Sequence, residues 1–229
     1  PDAARAGFGR SGLVFAVSGA SGLGLTTTPS PPRRIGVFGG AFDPPHRGHA
    51  VLAQTAIAQL QLDELRVFPT GDAWHKARSL SAAPHRVAMA RLAFATEPHV
   101  VVDARETLRT GPTYTVETLE ELAGEYPGAE LFLIIGEDQA RALPTWHRWE
   151  ALSGFAIICV AARADSTGAD SPFESLNAQI PGLIRLKMPP MPVSATEIRH
   201  KIALGQDIAP LVFDSVARYI EQHHLYQSA

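Results

Sequence analysis

Two histidines three residues apart, His46 and His49, follow a Gly39-Gly40 pair in the stretch RIGVFGGAFDPPHRGHA, Arg34 to Ala50. Their types and spacing point to anion chemistry. Gly39 and Gly40 carry no Cβ, so a ligand can approach the main chain and its N–H groups can face negative charge. Residues three apart share one face of a helix. A helix opening near His46 aims both imidazoles and its own positive end at one point. A phosphate suits such a point. Zinc ligation is the competing reading of an i, i+3 histidine pair, but no third ligand at suitable spacing is evident; a solvated helix end is the plain alternative.

These groups need elements to position them. Ile35, Val37 and Phe38 form a short apolar run that stops at the glycines, the pattern of a buried parallel strand entering a tight turn. Asp43, Pro44 and Pro45 then fix a loop, and good helix formers run from about His46 to Leu60. Strand, glycine turn, loop and helix make the first half of a βαβ unit.

The segment GGAFDPPHRGH resembles the GGxFDPxHxGH signature of the nucleotidyltransferase superfamily with the HxGH motif, and within it the bacterial nicotinate-nucleotide adenylyltransferases. Gly39, Gly40, Phe42, Asp43, Pro44, His46, Gly48 and His49 match, eight fixed positions within eleven residues. The resemblance runs from about Arg33 to Tyr226. It implies a cytoplasmic enzyme of NAD synthesis whose partners are ATP and nicotinate mononucleotide. It also implies Mg²⁺ carried mainly by the substrate phosphates, no protein-held metal, and room for a homo-oligomer. In that reaction a nucleotide 5′-phosphate attacks the α-phosphorus of ATP and pyrophosphate leaves. The second pKa of a phosphate monoester is about 6, so the nucleophile is already charged at neutral pH. The task is to hold two polyanions together and stabilise charge on equatorial and leaving oxygens. Amides, histidines, Lys and Arg suit that task; a nucleophilic Ser or Cys is not needed.

On the resemblance, Gly39, Gly40, Ala41, Phe42, His46 and His49 face the ATP phosphates. A second phosphate group follows in VSATEIR, Val193 to Arg199. Ser194 and Glu197 read as a capping box, while Thr196 and Arg199 lie three apart on one helix face. The family's SxTxxR motif implies that Ser194, Thr196 and Arg199 grip phosphate, with Arg199 catalytic beside His46 and His49. Gly136 and Asp138, in GED, match a GxD motif implied to meet the ATP ribose. In RETLRTGPTYTVETL the main chain of Thr113 is implied to contact the nicotinate end. In PTW, Trp146 is implied to stack on the pyridine, with the amides of Trp146 and His147 receiving its carboxylate; Trp146 as a loop-to-core anchor is the plain alternative. Lys76, in a PHK-like element that reads Ala73-Trp74 where prolines are common, is offered to phosphate. Arg86 either anchors this loop or meets a phosphate. Asp103, Arg105, Glu106 and Arg109 read equally well as substrate-facing groups or as a solvated ion-pair network.

Bulk composition is ordinary for a soluble globular protein. A chain of 229 residues suits one α/β domain. A net charge of −3 gives no reason to expect nucleic acid, and no apolar run reaches membrane-span length. The single cysteine, Cys159, sits in an apolar run and excludes an intrachain disulfide. Residues 1–32, rich in Gly, Ala, Ser, Thr and Pro, read as a flexible extension before a catalytic domain at 33–229. A secretory leader is disfavoured by its interrupting Gly and Ser. A dinucleotide turn at Gly19, Gly22 and Gly24 fails because TTTPSPP follows where a helix is required.

Beyond the first unit, apolar runs at Leu65–Phe68, Val100–Val102, Leu131–Ile135, Phe155–Val160 and Leu183–Met188 predict five more strands. Helices are expected from about Pro84, from Thr113, over Ser194–Leu204 and from about Leu211 to His223, with 103–112 and 161–181 as loops. The alternation predicts a single-domain, doubly wound (Rossmann-like) parallel sheet with C-terminal helices. Phosphopantetheine adenylyltransferase, a class I aminoacyl-tRNA synthetase core and a catalytically silent nucleotide-binding relative are the rivals. The PTW loop argues against the first, the absent KMSKS loop and tRNA-binding domain against the second, and the intact histidines and Arg199 against the third.

Overall fold

Six parallel strands pair in the order β3-β2-β1-β4-β5-β6 in the computed structural model, which describes residues 31–71, 80–163, 172–180 and 182–227. In chain order the elements are β1 (Arg34–Gly40), α1 (Arg47–Leu60), β2 (Glu64–Pro69), α2 (Ala83–Ala93), β3 (Val100–Val102), α3 (Arg105–Leu108), α4 (Thr115–Glu125) and β4 (Glu130–Gly136). Then come α5 (Glu137–Ala142), 3₁₀ turns at Leu143–Thr145 and Trp149–Gly154, β5 (Ile157–Arg163), α6 (Pro172–Gln179), β6 (Ile184–Met188), α7 (Ala195–Ala203) and α8 (Asp214–Gln222). The expected doubly wound α/β architecture is the one observed. The reading of residues 1–32 as an extension falls almost wholly outside the described residues.

Period-two alternation builds both layers. On one face Phe38, Leu65, Val67, Phe132 and Ile134 pack under α1, α2, α7 and α8. On the other, Ile35, Val37, Phe68, Leu131, Leu133 and Ile135 pack under α4, α5 and the 3₁₀ turns. Central strands covered on both faces read as continuous apolar runs, which is why their sequence signal is strong. Among the described residues, no helix is long and apolar enough to cross a membrane.

Boundaries depart from expectation where backbone groups are engaged locally. The Phe155 and Ala156 amides donate to Leu152 O at 3.1 and 3.0 Å, closing a 3₁₀ turn, so β5 begins at Ile157. Within the loop expected over 103–112, Asp103 Oδ1 accepts from the Arg105 amide at 3.0 Å and starts the single turn α3. Val212 and Leu211 donate back to Ile208 O, and α8 opens only at Asp214.

Gly36 lies buried where β1 crosses the core. A Cβ there would stand 2.6 Å from Leu62 Cδ1 and Leu65 Cδ1 and 3.1 Å from Ile134 Cδ1. Three side chains would have to give way together. Gly36→Ala is expected to destabilise the fold by about 1–3 kcal/mol, read from the denaturant midpoint; an unchanged midpoint would contradict this packing.

Candidate active site

A cavity of about 540 Å³ opens over the C-terminal ends of β1 and β4. Val37, Phe38, Leu133 and Ile135 from these two strands form part of its wall. The strand order reverses here: α1 leaves β1 toward β2, while α5 leaves β4 toward β5. Such a divergence opens a crevice at the strand ends of a doubly wound sheet.

One side of the cavity is rich in hydrogen-bond donors. A Cβ on Gly39 would meet nothing within 4 Å, so the main chain there is open to close approach. The chain then turns through Phe42, held at φ +48. A left-handed phenylalanine costs on the order of 1–3 kcal/mol. Burial of its ring, edge-on to Phe38 and Phe94 and 5.0 Å from His49, offsets that cost. The Asp43–Pro44 peptide is cis. Asp43 is buried, accepting from the Tyr226 hydroxyl at 2.6 Å and the Ser81 amide at 3.3 Å. The Arg86 guanidinium is also buried and donates to the carbonyls of Ser81, Ala41 and Gly71. Arg86 is therefore a loop anchor.

His46 is the N-cap of α1. Its amide donates to His49 Nδ1 at 3.0 Å. That bond makes Nδ1 an acceptor, which favours the tautomer carrying the proton on Nε2. His49 lines the cavity; His46 lies behind it, the two rings stacked with centroids 3.7 Å apart. Gly48 makes this stack possible, since a Cβ there would stand 3.1 Å from His46 Nδ1 and 3.0 Å from Val193 Cγ1. The same close approach seats the segment entering α7 against the start of α1.

From α7, Ala195, Thr196 and Arg199 reach the cavity. Arg199 Nη1 donates to Asp43 O at 2.8 Å and Nη2 to Thr196 Oγ1 at 3.0 Å. Ser194 lies outside the lining and caps α7, accepting from the Glu197 amide at 3.1 Å. The helix starts of α1 and α7 thus bring positive ends, two imidazoles and a guanidinium to one place.

The opposite side is aromatic. Tyr114, Trp146 and His147 line it with Thr113, the Tyr114 and His147 rings 4.2 Å apart. Trp146 also packs on the core under β4 and β5, so the anchoring reading of this residue describes part of its contact. Its amide, expected to be open to a ligand, donates instead to Leu143 O at 2.9 Å because Leu143–Thr145 coil into a 3₁₀ turn. The His147 amide is the remaining donor of that pair.

Gly136 and Gln139 also line the cavity, with the Gly136 amide donating to Gln139 Oε1 at 3.1 Å. Asp138 does not; its side chain is 94% exposed in the first turn of α5, with Arg141 3.5 Å away. Arg105 pairs with Asp103 and Glu125, and Arg109 pairs with Glu121, so both belong to an ion-pair network on the α4 side. Glu106 is the buried end of that network: it lines the cavity and accepts at 2.7 Å from Thr118 Oγ1, which itself accepts from Arg109 Nη1 at 2.9 Å, and burial raises its carboxyl above the usual range. Lys76 and its loop lie outside the described residues. Sequence reasoning missed Gln139 and Tyr226, which lie in stretches without local punctuation, and it left Glu106 between an ion-pair network and a substrate-facing role.

Burial pushes the His46 imidazole down from 6.5 to about 4. Between those values the unfolded chain binds the extra proton, so stability rises with pH across this window and falls as pH drops from 6.5 toward 4. Urea unfolding at pH 7 and pH 5 is expected to show about 2 kcal/mol more acid loss in the parent than in His46→Gln. Equal losses would contradict a neutral, half-buried His46.

With this geometry in place, known proteins agree. Residues 37–201 match the cytidylyltransferase-like family. A relative from Albidiferax ferrireducens, named probable nicotinate-nucleotide adenylyltransferase, is 60% identical over 86% of this chain and 100% of its own length. One of the same name from Methylibium petroleiphilum is 46% identical over 86% of this chain and 94% of its own. The fold matches that of Plasmodium falciparum nicotinic acid mononucleotide adenylyltransferase complexed with NaAD, at a TM-score of 0.70, 19% identity, and coverage of 85% of this chain and 97% of that one. By sequence and by fold, the chain belongs to the nicotinate-nucleotide adenylyltransferase family.

Proposed function

We propose that this protein transfers the adenylyl group of ATP, bound as its Mg²⁺ complex, to the 5′-phosphate of nicotinate mononucleotide, releasing pyrophosphate and forming nicotinate adenine dinucleotide. One observation carries the reading at this site: a donor-rich wall built from β1, α1 and α7 faces an aromatic wall built from Thr113 to Tyr114 and Trp146 to His147 across a single cavity. The first suits a triphosphate and the second a pyridine.

An oxygen of the mononucleotide phosphate forms a bond to the α-phosphorus as the bond from that phosphorus to the β-bridging oxygen breaks. The electron pair leaves with pyrophosphate. No proton must be removed from the nucleophile at neutral pH. The protein's part is position and charge. In this reading the Nε2–H of His49 donates to an oxygen of the α-phosphate, and Arg199 and Thr196 hold the phosphates that leave. The amides from Gly39 to Phe42 line the approach, and His46 keeps His49 in its tautomer and plane. Trp146 covers the pyridine ring and the His147 amide meets its carboxylate. The donors described here fit anions, and Mg²⁺ arrives on the phosphates as part of the substrate.

Pyrophosphate release is the test, with ATP and Mg²⁺ offered alongside nicotinate mononucleotide, nicotinamide mononucleotide or phosphopantetheine. The nicotinate substrate is expected to lead clearly. Release only with phosphopantetheine would overturn the choice of substrate, and none with any would overturn the activity. His49→Ala is expected to lower kcat by about 10²–10³ while the protein stays folded by circular dichroism. Parental turnover in that folded variant would remove His49 from the mechanism.

A further inference from the structure

We propose that Tyr226, near the end of the chain, is a positioning residue for the phosphate loop: its hydroxyl holds Asp43, and Asp43 in turn aims Arg199. The inference rests on the adenylyl-transfer reading of the cavity.

The connection is direct at each link. The Tyr226 hydroxyl donates to Asp43 Oδ1 at 2.6 Å, a length suited to a charge-assisted bond. The two residues are 183 positions apart in sequence. Asp43 is 1% exposed, and a carboxylate taken that far from water must be held by donors or the peptide carrying it shifts. Its other oxygen receives the Ser81 amide at 3.3 Å. The carbonyl of the same residue accepts from Arg199 Nη1 at 2.8 Å, and Arg199 lines the cavity. The side chain that Tyr226 grips and the acceptor that orients Arg199 thus belong to one residue.

The tyrosine is placed at a backbone cost. After α8 the chain turns through His224 at φ +51 and Tyr226 at φ +64, left-handed values unusual for these residues. The ring packs with the core under α1 and α2, and the hydroxyl approaches Met89 Sδ at 4.0 Å. Burial, with the Asp43 carboxylate beside it, pushes the phenol far above its ordinary range, so it keeps the proton it donates. Arg86 ties the same loop at Ala41 O, and its charge also favours the Asp43 carboxylate. The Tyr226 hydroxyl adds the short directional bond to Oδ1 that bears on how the Asp43 peptide is turned.

Steady-state pyrophosphate release by the full chain, with each substrate varied in turn, tests the proposal. Tyr226→Phe is expected to lower kcat about tenfold or more while KM for nicotinate mononucleotide stays within about twofold. In an Arg199→Lys background the same change is expected to move kcat less than about twofold, because the group being aimed has been replaced. Parental kcat in a folded Tyr226→Phe protein, or an equal fall in both backgrounds, overturns the proposal. A second measurement needs no variant: a non-hydrolysable ATP analogue is expected to slow amide exchange in the parent's segment 220–227 about threefold or more. Unchanged exchange there with the analogue bound overturns it as well. Failure of the parent to release pyrophosphate would sink the adenylyl-transfer reading, whereas the ratio of variant to parent tests Tyr226 alone.

Discussion

The divergence of chain paths between β1 and β4 is the constraint on which the rest depends. Crossovers between parallel strands send α1 and α2 to one face of the sheet and α4 to the other. Among the described residues no helix then covers the strand ends between them, and a cleft opens whether or not any residue in it is chemical. Function is written on the two lips. The lip from β1, α1 and α7 carries donors, and the other, after β3 and β4, carries aromatic rings.

Charge is handled on the donor lip by placement and neutrality together. Crowding two imidazoles at 3.7 Å would be costly if both were cationic. Burial keeps His46 neutral, and its amide gives His49 a fixed acceptor and a fixed donor. The positive charge comes instead from Arg199 and from helix ends, whose N–H groups need no side-chain ordering when an anion arrives. Asp43 is the one carboxylate in this loop; it borders the cavity but is buried, and Tyr226 and Ser81 donate to it.

Local signals made much of this legible. The glycine turn, the prolines, the His46–His49 spacing and the Ser194 cap are short-range patterns. Continuous apolar runs exposed the central strands because both faces are covered. What could not be read depends on distance in sequence or on backbone detail. Tyr226 meets Asp43 across 183 residues, and nothing in LYQ announces it. Glu106 sits among arginines and acids that do form the expected network, yet its own side chain turns into the buried interior. The engagement of the Trp146 amide by Leu143 O follows from a 3₁₀ turn that proline at position 144 permits but does not dictate. Residue types revealed the chemistry, and tertiary contacts decided which of them stands at the surface of the cleft.

The central claim is that this cleft works by holding one phosphate in line with another, with no covalent bond to the protein. The stereochemistry at the α-phosphorus tests it most directly. ATP made chiral there with sulfur and oxygen isotopes would be converted with nicotinate mononucleotide, and the configuration of the dinucleotide read by phosphorus NMR. A single in-line displacement predicts inversion. Retention would mean two displacements through an adenylylated side chain, His49 being the first to suspect, and would contradict the account of the site as a cradle that orients and stabilises but does not itself attack.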